Sequence, residues 1–262
     1  ALPEVFYNLA VFYETLEKNT LALDAYETLT RRYPGFLPGL YNLANLYAME
    51  GRRGDAIASY DRAAAVAPHR ADILTNQAAL YTETGQYEKA RERLNQAEKN
   101  DSSFPEIRYN KILLALAEGE SEEAQRLLEQ FAGIGAASPL AGMAKGLVFA
   151  AEGDWEEAES AFSQAAQADK QNAYTHLNRG ASLAKLGRYQ ESQAALQKAI
   201  QCDPSLSEAH RALGVLYCQM GLFDLAKEEL ENALQIDPSQ TDLNEILTQI
   251  KKWMEEIKSS NP

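Results

Sequence analysis

The sequence predicts an all-α fold: an array of seven helical hairpins closed by one further helix. Three observations predict it. Tyr7-Asn8-Leu9-Ala10 returns as Tyr41-Asn42-Leu43-Ala44, 34 residues later. Seven 34-residue repeats run from Pro3 to Gln240 (3–36, 37–70, 71–104, 105–138, 139–172, 173–206 and 207–240) with no insertion or deletion. Within each repeat the apolar residues recur at helical spacing.

Each element follows from a column of this register. The eighth residue is small in six repeats (Ala10, Ala44, Ala78, Gly146, Gly180, Gly214) and Ile112 in the fourth. Small residues let two helix axes approach. The fifteenth is Glu17, then Gly51, Gly85, Gly119, Gly153, Gly187 and Gly221. Glycine ends the first helix because it takes the left-handed conformation without strain. Acids such as Glu122, Glu123, Glu156, Glu157 and Asp224 open the second helix, where negative charge suits the helix dipole. The twentieth residue is small and the twenty-fourth always large: Tyr26, Tyr60, Leu94, Leu128, Phe162, Leu196 and Leu230. Pro34, Pro68, Pro204 and Pro238 close the second helix, since proline cannot continue one. The middle three repeats lack that proline.

These columns resemble the tetratricopeptide repeat, most closely in 173–204 and 209–238. The family's Trp column is here Phe6, Leu40, Leu74, Arg108, Gly142, His176 and His210. The resemblance implies a right-handed superhelical α-solenoid whose first helices line a concave groove that binds peptides or protein segments.

Residues 241–258 break the period. Leu243, Ile246, Leu247, Ile250, Trp253, Met254 and Ile257 lie at helical spacing, with mixed charge opposite. This predicts a C-terminal capping helix, which repeat arrays need at their ends. No equivalent cap precedes Pro3, so further chain, such as more repeats or a catalytic domain, is expected before Ala1. The fourth repeat is irregular, with Ala115 for a large residue and Phe131 for a small one. The joint GIGAASP (133–139) suggests a hinge there.

The net charge of −13 opposes nucleic-acid binding, which needs basic patches. No apolar run approaches a membrane span, so no direct membrane insertion is expected. Residues 173–206 form the one mildly basic window. Cys202 and Cys218 make no metal or disulfide pattern, which favours a cytoplasmic location, or a periplasmic one if a leader was removed. His176 and His210 share one column and read as packing residues; no metal and no cofactor are expected. No catalytic motif is present, so the chain reads as a non-enzyme.

In the family, the second, fifth, sixth, ninth, twelfth and thirteenth residues face the groove. The sixth is Asn8, Asn42, Asn76, Asn110 and Asn178, with Ala144 and Ala212 breaking the row. A side-chain amide matches the hydrogen-bonding groups of an extended peptide backbone. The row resembles the asparagine ladder of the O-linked N-acetylglucosamine transferase family. Tyr7, Tyr41 and Tyr109 add apolar anchors with polar tips, and Asn45 extends the amide surface. Lys185 and Arg211 bring positive charge toward the C-terminal end. The family's carboxylate clamp fails on charge, because Tyr41, Glu106 and Asn110 stand where its basic residues would be. The seventh column turns polar in Gln77, Lys111, Lys145 and Arg179, whose stems are expected to pack while their tips reach water.

The leading expectation is a protein–protein interaction scaffold or adaptor binding an extended segment in the concave groove. Two alternatives come from other classes: the targeting region of a larger enzyme such as a glycosyltransferase, and a structural unit that self-associates into a homo-oligomer.

Overall fold

A computed structural model describes residues 2–135 and 139–260, and side chains through Phe131 and from Pro139 to Trp253. The chain divides into two compact bodies, Ala1–Leu127 and Leu128–Pro262. The joint at 133–139 includes residues that lie outside those described, as do the side chains of Met254 and Ile257.

The N-terminal body holds α1 (Pro3–Thr15), α2 (Asn19–Arg32), α3 (Leu37–Met49), α4 (Arg53–Val66), α5 (Ala71–Glu83), α6 (Tyr87–Asn100) and α7 (Pro105–Glu118). Helix α8 (Ser121–Gly135) begins in it. Helices α1, α3 and α5 each pack on the helix that follows, and α2, α4 and α6 pack in turn on α3, α5 and α7. The C-terminal body repeats the arrangement with α9 (Pro139–Glu152), α10 (Trp155–Ala168), α11 (Ala173–Lys185), α12 (Tyr189–Cys202), α13 (Ser207–Gln219) and α14 (Phe223–Ile236). Helix α15 (Leu243–Ser260) then covers α14, burying Leu243, Leu247 and Ile250. The fold is an α-solenoid of helical hairpins, with helices only among the described residues.

Each first helix ends as its column predicts. The six glycines have φ between 70° and 88°, and Glu17 takes the same left-handed conformation at φ 56°. The closing bonds recur: Glu17 N–H donates to Glu14 O at 2.9 Å and Lys18 N–H to Tyr13 O at 2.9 Å. Gly119 and Glu120 repeat the pair onto Leu116 and Ala115. This is the Schellman motif, in which two otherwise orphaned carbonyls find donors.

Small and large columns meet inside one hairpin. A Cβ placed on Gly146 would lie 2.5 Å from the Phe162 ring, one on Gly180 2.7 Å from Leu196, and one on Gly214 2.6 Å from Leu230. Each large residue therefore sits directly on the small residue sixteen positions before it.

The second helices stop by a signal beyond the proline column. Helix α6 ends without proline, and there Asp101 accepts from Ser103 N–H at 3.0 Å. Helix α10 ends likewise, with Asp169 accepting from Gln171 N–H at 3.1 Å. Asp203 and Asp237 repeat the bond beside Pro204 and Pro238. These Asx turns offer the backbone an alternative to another helical turn.

Candidate functional site

The predicted amide row lies on the first helices, but its members differ. Asn42 Nδ2 donates to the Tyr7 hydroxyl at 3.2 Å and to the Tyr26 hydroxyl at 3.0 Å. One hairpin on, Asn76 Nδ2 donates to Tyr41 at 3.1 Å and to Tyr60 at 3.2 Å. The pattern extends inward: Tyr26 donates to Glu14 and Tyr60 to Asn45. A carboxylate only accepts, so the Tyr26 proton goes to Glu14 and Tyr26 receives from Asn42. That fixes which end of the Asn42 amide faces the tyrosines.

Both central tyrosines are buried, and their phenols are pushed well above the ordinary range. Burial is the main cause for each; for Tyr26 the neighbouring Glu14 adds to it. Neutral hydroxyls thus hold the network together. Tyr7 packs against Tyr26 and Phe36 with ring centroids 6.2 Å and 5.8 Å apart, and Tyr41 lies 6.0 Å from Tyr60. The donors of Asn42 and Asn76 are therefore engaged within the N-terminal body, leaving each carbonyl oxygen as the acceptor.

The tyrosine pair has no counterpart elsewhere in the row. Before Asn110 the same columns carry Thr75 and Leu94; before Asn178 they carry Met143 and Phe162. Asn8 is exposed, and Asn110 and Asn178 are half-buried, as is Tyr109.

The polar seventh column forms bridges between hairpins. Gln77 donates to Asp61 at 2.6 Å, Lys111 lies 2.7 Å from Glu98, and Arg179 lies 2.8 Å from Glu159. The tips of these three, expected in water, reach acids on the preceding second helix instead, whereas Lys145 is exposed as expected. The histidine column also packs against the hairpin before it. His176 Nε2 lies 3.0 Å from Lys170 O, and His210 Nε2 lies 3.3 Å from Pro204 O. No cluster of metal-ligating side chains occurs among the described residues. Nor is any described helix long and apolar enough to cross a membrane.

The groove columns converge in the C-terminal body. A cavity of about 360 Å³ opens between α11 and α13. Ala181, Ala184, Ala212 and Val215 line it with aliphatic surface, and Lys185, Glu208 and Arg211 supply charge. All seven occupy the second, fifth, sixth, ninth, twelfth or thirteenth position. Lys185 Nζ sits 5.8 Å over the Trp155 ring, and Arg211 is 2.8 Å from Asp242 on an exposed surface. None of the row's asparagines lines this cavity. Its signal in the sequence is that Ala181, Ala184 and Ala212 fall in groove columns of two adjoining repeats.

Family models for the tetratricopeptide repeat match residues 4–35, 37–103, 75–139, 109–173, 143–207 and 183–250. The chain belongs to the tetratricopeptide repeat family. A tetratricopeptide repeat protein from Parabacteroides merdae is similar at 18 % identity and a TM-score of 0.68, over 95 % of this chain and 98 % of that one. Yeast Tom70 is similar at 14 % identity and a TM-score of 0.70, over 99 % of this chain and 55 % of that one. A chain of the Cut9–Hcn1 hetero-tetramer of the APC/C matches at 16 % identity and 0.68, over 95 % and 54 %. The tetratricopeptide chain thus spans about half the length of those last two. These likenesses show the fold. No curated protein sequence matches closely enough to lend it a function. Tetratricopeptide repeats generally serve as protein-interaction scaffolds, and none of the matched families is catalytic.

Proposed function

We propose that this tetratricopeptide array is a non-enzymatic interaction scaffold that binds an extended protein segment along its first helices, with the α11–α13 cavity as the principal anchor. The observation that carries this is that eight of the cavity's ten lining residues stand in groove columns, with Leu196 and Leu216 completing its apolar wall. Aliphatic walls accept a Leu- or Val-sized side chain, and its burial is worth about 1.5–3 kcal/mol. Lys185 and Arg211 suit a carboxylate beside that side chain. The Arg211–Asp242 pair is exposed, so exchanging Asp242 for a ligand carboxylate costs little. The carbonyl oxygens of Asn42 and Asn76, with Asn8, Asn45, Asn110 and Asn178, would contact the backbone of the same or a second segment.

Selection from a displayed library of unstructured peptides tests this. Sequences pairing an aliphatic residue with an adjacent Asp or Glu should be enriched. Ala212→Leu, which fills the cavity, should weaken the selected peptides at least tenfold, or about 1.4 kcal/mol. Lys185→Glu should shift selection away from acids. Enrichment indifferent to both changes would sink the reading.

A further inference from the structure

A cavity of about 500 Å³ opens between α2 and α4 in the N-terminal body, with Leu43 and Tyr47 of α3 as its floor. None of the residues lining it stands in a groove column, so it is separate from the site proposed above. Helix α1 packs on α2 and α5 on α4, which places the cleft inside the array rather than at an end. The next cleft, between α4 and α6, shows how the molecule fills the same space. There Gln77 of α5 donates to Asp61 of α4 at 2.6 Å, in a cluster with Tyr81 and Arg93. Counting back 34 residues gives Leu43, Glu27, Tyr47 and Ser59. The acid and the tyrosine are kept, but the amide has become a leucine and the guanidinium a serine.

Polar groups in this cleft are left open. Tyr47 donates to Glu27 Oε1 at 2.6 Å, and burial, with that carboxylate beside it, pushes the Tyr47 phenol up to about 12. The other Glu27 oxygen has no hydrogen bond among the described residues. Ser59 is 4 % exposed and lines the cavity, and its hydroxyl has no partner among them either. Buried hydroxyls are ordinarily hydrogen-bonded, so one left facing a cavity marks a place for a polar ligand. Charge points the same way. Charges that meet across helices elsewhere in this body are opposite, as in Arg53–Glu83, Arg91–Glu118 and Lys111–Glu98. Across this cleft acid faces acid and arginine faces arginine. Glu27 and Asp55 both act on Tyr47. Arg62 donates to Thr30 O at 2.9 Å, next to Arg31. Arg52 offsets the acids in part: it lies 4.3 Å over the Tyr47 ring and 2.8 Å from Asp55, on exposed surface.

We propose that the α2–α4 cleft binds a partner protein segment through an arginine side chain seated between Glu27, Asp55 and Ser59, with a neighbouring acid of the segment meeting Arg31 and Arg62. The guanidinium takes the space that Gln77 and Arg93 fill in the next cleft. Its planar fork has donors enough for the open Glu27 oxygen, the Ser59 oxygen and Asp55 together. A lysine ammonium is a compact point charge and cannot span the three. Leu43, Ala58 and Pro34 give the arginine stem an apolar bed. Glu27 and Arg31 stand about 6 Å apart along α2, one helical turn. The arginine and the acid of the ligand therefore lie close together in its sequence. The cavity opens to solvent, so a side chain carried by another chain can enter it.

The test uses the whole chain carrying Ala212→Leu, which fills the α11–α13 cavity, so that failure here leaves the groove reading standing. Short peptides selected on it from a displayed random library should be rich in arginine with Asp or Glu close by. Fluorescence anisotropy of the labelled winners should show saturable binding. Leu43→Gln should weaken it at least about tenfold, because the new amide meets Glu27 as Gln77 meets Asp61. Gln77 is fully buried in that same column, so the thermal midpoint should change little. Glu27→Gln keeps the shape of the cleft, removes its charge and should weaken binding by a similar factor. Arg31→Glu, at an exposed position, should abolish the preference for a neighbouring acid. Replacing the peptide arginine by lysine should weaken binding severalfold. Selection of sequences without arginine, or affinity that Leu43→Gln and Glu27→Gln both leave unchanged, would overturn the proposal.

Discussion

At the scale of the residue, one position breaks its column and keeps the geometry. Glu17 has φ 56° where six glycines have the same conformation. A side chain with a Cβ is strained there by about 1–2 kcal/mol. Glycine relieves the strain but loses more backbone entropy on folding, about 0.5–1 kcal/mol. The strain is the larger, so Glu17→Gly should raise stability by about 0.5–1 kcal/mol in urea unfolding. An unchanged or lowered midpoint would mean that Glu17 gains something from its side chain that offsets the backbone. The glycine column was legible because a single steric requirement, set locally, selects one residue type. The Asn42–Tyr26–Glu14 chain was not. It joins residues from three helices, and only coordinates reveal that Asn42 gives both amide protons to tyrosines. A row that reads in sequence as ligand-facing amides is, in those two hairpins, partly an internal brace.

At the scale of the element, the hairpin depends on one reciprocal contact. Gly146 lies under Phe162, and an added Cβ would sit 2.5–2.7 Å from three atoms of a rigid ring. Gly146→Ala should therefore destabilise the C-terminal body by about 1–3 kcal/mol, the range for overpacking a close contact. Phe162→Leu in the same chain should recover part of the loss, because Leu is what Gly180 and Gly214 already face in Leu196 and Leu230. A double-mutant cycle decides the matter: additive losses would show that ring and glycine do not share one space. The small and large columns showed this pairing in sequence through their fixed interval. Helix ends were read less completely. Proline is a conspicuous stop, whereas Asp101 and Asp169 stop α6 and α10 through bonds to Ser103 and Gln171 that an ordinary Asp column does not advertise. The cavity between α11 and α13 was half legible. Its columns follow from the register, but its volume depends on three alanines lying side by side.

At the scale of the whole molecule, stability in a repeat array is a sum of hairpins and nearest-neighbour interfaces. An end helix then matters through the one surface it covers. Helix α15 buries Leu243, Leu247 and Ile250 against α14 and shares a core with Leu216, Tyr217 and Leu230. Its Trp253 ring lies 5.3 Å from Phe223. Three fully buried aliphatic side chains contribute about 1.5–3 kcal/mol each before the entropy of ordering the helix is subtracted. Deleting residues 241–262 should remove that gain and leave α14 with an open apolar face. Hydrogen exchange should then accelerate first in α14 and α13, less in α12 and α11, and not at all in α1 to α4. Such a decay follows from contacts that reach only the adjoining hairpin. Uniform acceleration along the chain would instead require cooperativity longer than these interfaces provide. Unchanged exchange in α14 would show that α15 covers its neighbour without stabilising it.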